Sequence, residues 1–247
     1  MIRLDGKRVV LTGAGGGVGT RMVAAFRDAG AQIVVCEREG VDLPADLETH
    51  RFDLADPAAV GTAAEAIIAN GPPDIFVSNA GVTHAEMLDD LTPASLAFEM
   101  AANFTGAAEL SRRLSVAMRG RGGAMVFVAS VNALSHHGNP AYSAAKAALL
   151  AWMRALAVEE GRYGLRANAI CPGSIHTPVW DARIAADAGV LDNVAKLYPL
   201  GRFVTPDEVA QAVLFLSSPL ASGITGVTMP VDAGLMAGNL PFIDAIT

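Results

Sequence analysis

Tyr142 and Lys146 stand four positions apart in a stretch that reads as helix, so their side chains share one face. A free tyrosine, with a pKa of about 10, is a poor base at neutral pH. A lysine ammonium beside it favours the phenolate. Such a tyrosine can take a proton from an alcohol or return one to a carbonyl oxygen. Ser130 lies twelve positions earlier, at the end of an apolar run that reads as a strand. Its hydroxyl is placed to hold a substrate oxygen next to Tyr142. Taken alone, a Tyr-x-x-x-Lys spacing also fits an ordinary helix surface; its position after a strand ending in Ser raises it above that.

A second chemical feature lies near the start of the chain. Thr12-Gly13-Ala14-Gly15-Gly16-Gly17-Val18-Gly19 follows the apolar run Arg8–Leu11 and precedes a helical pattern. A glycine turn between strand and helix lets the backbone approach a pyrophosphate, and the helix start supplies unpaired N–H groups. A flexible turn is the bland alternative. Glu37 closes the second strand, eighteen positions after Gly19, where a carboxylate accepts hydrogen bonds from the adenosine ribose hydroxyls. A carboxylate there repels a 2′-phosphate, which favours NAD over NADP. Arg38 leaves three readings open: a partner for a 2′-phosphate, a guanidinium over the adenine face, or a solvated surface cation. The positive ring of an oxidised nicotinamide would add to Lys146 in favouring the Tyr142 phenolate.

The elements that must position these groups alternate along the chain. Strands are expected at 8–11, 32–36, 50–52, 75–78, 124–129, 166–171 and 227–231. Helices are expected after the glycine turn to about Ala29, from Asp56-Pro57 to about Asn70, from Thr92-Pro93 to Met118, from Ala141 to about Tyr163, and from the Thr205–Glu208 capping box to Leu216. Strict alternation predicts an α/β fold: one doubly wound domain of Rossmann type over residues 1–247, its parallel sheet covered by helices on both faces. The crossover between the second and third strands is too short for a full helix. Residues 174–200 are expected to form a lid over the substrate.

Composition narrows the function classes. The chain has 247 residues, 52% of them hydrophobic and 17% charged, which excludes a disordered chain. A net charge of −7 argues against nucleic acid or an anionic membrane as partner. The N-terminus shows no apolar leader, no apolar run approaches the length of a membrane span, and Cys36 and Cys171 follow separate apolar runs. A reduced, cytoplasmic protein is the expectation. The histidines show no metal-ligand spacing, so no metal is expected.

Taken in order, Thr12-Gly13-x-x-x-Gly17-x-Gly19, Ser78-Asn79-Ala80-Gly81, Asn103, Ser130, Tyr142-x-x-x-Lys146 and Pro172-Gly173 resemble the short-chain dehydrogenase/reductase family over nearly the whole chain. The resemblance implies a seven-stranded parallel sheet and a catalytic set of Asn103, Ser130, Tyr142 and Lys146. In that scheme Lys146 also holds the nicotinamide ribose, and Asn103 fixes a water that relays protons to Lys146. Read from the residues alone, Asn103 is equally a polar group adjusting a helix bend. The resemblance places Gly13, Gly17, Val18, Gly19, Asp53, Leu54, Asn79, Ala80, Gly81, Pro172, Gly173, Ile175 and Thr177 against the cofactor, with Asp53 at the adenine edge and Thr177 on the carboxamide or a phosphate. Asp53 also reads as a loop carboxylate or helix cap, and Thr177 as the cap of a helix opened by Pro178. The resemblance further implies a homotetramer or homodimer paired through the helices over 103–118 and 141–157.

This chain departs from the family pattern in carrying Glu37 where NAD-using members more often have Asp, in its abbreviated crossover, and in Ser78 where Asn is frequent. Substrate identity sits in 82–91, 131–140 and 174–198. These segments offer His84, His137 and Trp180 as candidate contacts, beside the readings of exposed loop histidines and a lid or core tryptophan. The expected activity is NAD(H)-dependent hydride transfer between a secondary alcohol and a ketone. An NADPH-dependent 3-oxoacyl-carrier-protein reductase is the rival enzyme, needing a basic docking patch for which Arg112, Arg113, Arg119 and Arg121 are the only cluster. A non-catalytic dinucleotide sensor is the rival of another class, and it would have no use for an acid/base.

Overall fold

The computed structural model describes residues 2–84, 87–175, 180, 184, 185, 187 and 189–246. Seven strands form one parallel sheet: β1 (Arg8–Thr12), β2 (Gln32–Glu37), β3 (Glu48–Arg51), β4 (Ile75–Ser78), β5 (Gly123–Val128), β6 (Leu165–Pro172) and β7 (Thr228–Val231). Their order across the sheet is β3-β2-β1-β4-β5-β6-β7. The chain winds outward from β1 in one direction, then returns to start again at β4. Beside β1 the connections therefore leave on opposite faces, and a crevice opens at the carboxyl ends of β1 and β4.

Both faces are covered, which is why the central strands are apolar throughout rather than alternating. On one face α1 (Gly17–Asp28) brings Met22 and Phe26 against Leu11 and Val126, joined by Val209 and Val213 of the helix Pro206–Ser217. On the other, α2 (Pro57–Ala69), a helix over Gly106–Met118 and another over Pro140–Glu159 pack Ile67, Leu110, Leu114, Leu149 and Met153 onto Phe76 and Phe127.

Local chemistry sets the ends of these helices. Asp56 caps α2, accepting from Ala58 N at 2.9 Å and Ala59 N at 3.2 Å, with Pro57 in the first turn. Thr205 and Glu208 form the reciprocal capping box that the sequence indicates, with Thr205 N donating to Glu208 Oε2 at 2.8 Å.

Two departures from the sequence reading affect the site. The helix expected from Thr92 to Met118 is broken: α3 (Pro93–Met100) passes into a π-helical turn (Ala101–Thr105) before α4 (Gly106–Met118). Gly106, the first residue after the turn, leaves room for Leu54 O, which lies where a Cβ would stand. The helix expected to reach Tyr163 is α5 (Pro140–Glu159), followed by a 3₁₀ turn at 161–163 closed by Gly164 in the left-handed region. No helix lies between β2 and β3, as the short crossover requires. Three further helices follow: α6 (Val190–Ala195), α7 (Pro206–Ser217) and the terminal α8 (Leu240–Ile246), of which the sequence pattern foretold only α7.

Candidate active site

The glycine turn occupies the crevice between β1 and β4. Gly13 has φ 72°, and a Cβ there would stand 2.7 Å from Ala80 Cα, so the turn and the Asn79–Gly81 segment meet backbone to backbone. Asn79 fixes that meeting: its Nδ2 donates to Gly13 O at 2.9 Å, and the N–H groups of Asn79 and Ala80 both donate to Thr12 Oγ1 at 3.0 Å. Gly19 is excluded from carrying a side chain by Gly13 O and by Ala14 Cα at 2.8 Å.

Gly16 and Gly17 differ, because a Cβ at Gly17 would meet nothing within 4 Å. Gly16 caps α1 with no side chain accepting from its first turn, and that turn carries no acidic residue. Unsatisfied N–H groups and open space together fit an anionic diphosphate. The groove of about 510 Å³ running from here is lined by Gly13, Gly17, Val18, Gly19, Glu37, Arg38, Asp53, Leu54, Asn79, Ala80 and Gly81, all expected from sequence. Gly15, Val41, Phe52 and Val82 also line it.

Glu37 reaches back to the turn, accepting from Gly15 N at 3.1 Å and from its neighbour Arg38 N at 3.1 Å. Arg38 is exposed on the rim, and its carbonyl accepts from Arg51 Nη1 at 2.9 Å. Asp53 accepts from Ala55 N at 2.8 Å, so the loop-carboxylate reading holds while the residue still lines the groove; Asp56 is the helix cap. Pro172 and Gly173 end β6 and Ile175 bridges to Val204, all outside the groove lining. Thr177 lies outside the described residues.

Ser130 follows β5 and caps the 3₁₀ turn 131–133, accepting from Asn132 N at 3.1 Å. Its side chain lies near the Tyr142 phenol and favours the phenolate form. Asn132, which the sequence reading passed over, staples the intervening loop to α5 through Gly138 O at 2.8 Å and Ser143 Oγ at 3.2 Å. Lys146 is buried one turn beyond Tyr142, donates to Val128 O at 3.0 Å and lies 5.6 Å from the Tyr142 ring centre. Burial pushes Lys146 down to about 8 and Tyr142 up to about 12, against Ser130, which favours the phenolate. Part of Tyr142 still reaches solvent. The expected lowering of Tyr142 is thus reversed in the chain by itself, because desolvation of the phenolate dominates and Lys146 is turned to the β5 carbonyl.

Asn103 sits on the π turn, buried, with both ends of its amide engaged: Oδ1 accepts from Val82 N at 3.0 Å, and Nδ2 donates to Val82 O at 2.8 Å and Glu99 Oε2 at 2.7 Å. The position of Asn103 on the π turn fits the helix-bend reading. Glu99 was missed by the sequence reading. The available signal was a charge four positions before Asn103, on the face that the helix buries.

Of the candidate substrate contacts, His84 is half exposed and stacks on Phe98, ring centres 4.7 Å apart. His137 is exposed and approaches Met236 Sδ at 3.4 Å, while Trp180 packs on Phe203 at 4.7 Å. Among the described residues no cluster of three or more metal-ligating side chains occurs, and no helix is long and apolar enough to cross a membrane.

Residues 13–236 match the family described as Enoyl-(Acyl carrier protein) reductase. The chain is 33% identical to L-xylulose reductase of Bos taurus, over 96% of this chain and 99% of that one. Among solved structures, an oxidoreductase of the short-chain dehydrogenase/reductase family from Burkholderia thailandensis superposes with a TM-score of 0.90 at 39% identity, covering 98% of each chain. L-sorbose reductase from Gluconobacter frateurii, complexed with NADPH and L-sorbose, superposes at 0.88 with 29% identity, over 96% of this chain and 99% of that one. With the sheet order, the glycine turn and the Ser130–Tyr142–Lys146 grouping already in place, these matches show that the chain belongs to the short-chain dehydrogenase/reductase family of oxidoreductases.

Proposed function

We propose that the protein interconverts a secondary alcohol and a ketone using NAD(H), with Tyr142 as acid/base and Asn103, Ser130 and Lys146 as its catalytic partners. The observation that carries this reading is the convergence of Ser130, Tyr142 and Lys146 at the carboxyl edge of the sheet, with Lys146 Nζ 5.6 Å from the Tyr142 ring centre and tied to Val128 O. The uncapped start of α1 would hold the pyrophosphate, Glu37 the adenosine ribose, Asp53 the adenine edge, and Lys146 the second ribose. The nicotinamide, when bound, supplies the hydride acceptor or donor. Ser130 orients the substrate oxygen, and Tyr142 takes the alcohol proton in oxidation or returns it in reduction. The phenolate form is favoured by Ser130 and by any positive charge added nearby.

The names of two relatives, L-xylulose reductase and L-sorbose reductase, support a polyol or ketose as the substrate class. Turnover on a panel of polyols, ketoses and simple secondary alcohols, with both dinucleotides, tests the reading. No NAD(P)-dependent turnover on any of them would count against it.

The carrier-protein reductase reading is weaker on charge. Arg112 and Arg113 both pair with Glu109, Arg113 also with Glu65, and Arg119 with Glu160, so three members of the basic cluster already face three carboxylates. Assembly through α5 is part of the proposal. Ala144, Ala147, Ala151, Ala155 and Val158 form an exposed, nearly uncharged stripe on that helix, a face that a second copy could cover about a two-fold axis. Two buried free thiols, Cys36 and Cys171, fit the proposed cytoplasmic location.

A further inference from the structure

Glu99 is a carboxylate only 3% exposed, in the last turn of α3. Its two oxygens do different things. Oε2 accepts from Asn103 Nδ2 at 2.7 Å, and Oε1 accepts from His84 N at 2.9 Å, with His84 Nδ1 at 3.8 Å. His84 is the only Lys, Arg or His side chain within 4 Å of it among the described residues. A buried carboxylate with so little compensation is costly, which points to a use other than packing.

The line from Glu99 to the reacting centre is short. Glu99 holds the Asn103 amide, and a methyl added at Gly81 would sit 3.0 Å from Asn103 Oδ1 and 3.1 Å from Lys146 Nζ. Asn103 and Lys146 therefore meet across Gly81, and the negative charge lies one side chain behind the lysine. Glu99 raises the proton affinity of both Lys146 and Tyr142, as does Cys171. Burial holds the Cys171 thiol at about 11, so it stays neutral in the working range.

We propose that Glu99 is a positioning residue of the Tyr142–Lys146 centre: it fixes the Asn103 amide and sets a carboxylate one side chain behind buried Lys146, with His84 as its outlet to solvent. Among the described residues, the charged and titratable groups facing it are His84 from the loop after β4 and Lys146 and Tyr142 from α5. The inference rests on the proposed role of Tyr142 and Lys146, but its test does not.

The chain has three lysines, Lys7, Lys146 and Lys196, so a Lys7→Arg, Lys196→Arg background leaves one lysine to follow by NMR of its labelled ε-carbon. In that background Glu99→Gln should lower the Lys146 titration midpoint by roughly half a pH unit or more, and Glu99→Asp should leave it near the parent value. His84→Arg, a surface change that pairs the carboxylate permanently, should also lower it and serves if Glu99→Gln does not fold. An unmoved midpoint in folded Glu99→Gln, or in His84→Arg if that variant stands in, overturns the proposal. A shifted midpoint in a protein inactive on every alcohol tried would leave the Glu99 inference standing and remove the dehydrogenase reading instead.

Discussion

The Lys146 ammonium donates to the Val128 carbonyl at 3.0 Å, tying α5 to the end of β5 one residue before the strand gives way to Ala129 and Ser130. The bond sets Lys146 beside the ring of Tyr142 while leaving the phenol to Ser130. Tyr142→Phe keeps the ring and its packing but removes the transferable proton. Turnover should fall by ~10² or more with dinucleotide affinity nearly unchanged. Steady-state kinetics and calorimetry check both halves. Near wild-type turnover in this variant would remove Tyr142 as acid/base.

Burying that lysine costs stability. Displacing Lys146 from an ordinary 10.5 to about 8 corresponds to roughly 3 kcal/mol against the folded state at neutral pH. Between these values the unfolded chain binds more protons than the folded one, so this cost is relieved as pH rises from 8 to 10.5. Lys146→Met should therefore stabilise the fold at pH 7, by less than the full amount because Val128 O loses a donor, and the gain should shrink by pH 10. Denaturant unfolding at the two pH values measures it. A variant less stable than the parent at pH 7 contradicts the argument.

Much of this arrangement was legible in the sequence, for identifiable reasons. The β1 turn could be read because a strand, a glycine cluster and a helix in that order have few alternative uses, and Ala80 leaves Gly13 no room for a side chain. Ser130, Tyr142 and Lys146 were legible from spacing along one strand and one helix. Glu99 was not, since its partner His84 lies fifteen positions away and its spacing of four from Asn103 is the sole local mark of its burial. The π turn Ala101–Thr105 left no mark in the residue types that spacing alone could read. The reversal at Tyr142 escaped because desolvation depends on packing that spacing does not encode.

The glycines separate fold from binding. Gly13→Ala puts a methyl 2.7 Å from Ala80 Cα at a positive φ, so it should lower the melting temperature and abolish dinucleotide binding together. Gly17→Ala meets open space in the protein and should leave the melting temperature within a few degrees, while weakening dinucleotide binding where the backbone must approach the pyrophosphate. Thermal melts beside calorimetry distinguish the two. Equal loss of stability in both variants would remove the diphosphate assignment from Gly17.

Glu37 should set the choice of dinucleotide. Its carboxylate is held at the groove by Gly15 N, and a 2′-phosphate would bring two negative charges together. Calorimetry should give tighter binding of NAD(H) than NADP(H), and Glu37→Gln should narrow the gap chiefly by improving NADP(H), helped by exposed Arg38. Equal or reversed affinities in the parent protein would defeat the assignment.

Ala151 lies at the middle of the exposed α5 stripe, between Ala147 and Ala155 one helical turn to either side. A second copy packed about a two-fold axis would bring this residue close to its own symmetry mate, where small side chains let helices approach. Ala151→Glu should then place two carboxylates at the centre of the contact, desolvated and like-charged, and split the assembly while leaving the monomer fold intact. Light scattering at micromolar concentration should show an oligomer for the parent and a smaller species for the variant, with circular dichroism unchanged. A monomeric parent, or a variant that keeps the parental mass, would place any interface elsewhere than α5.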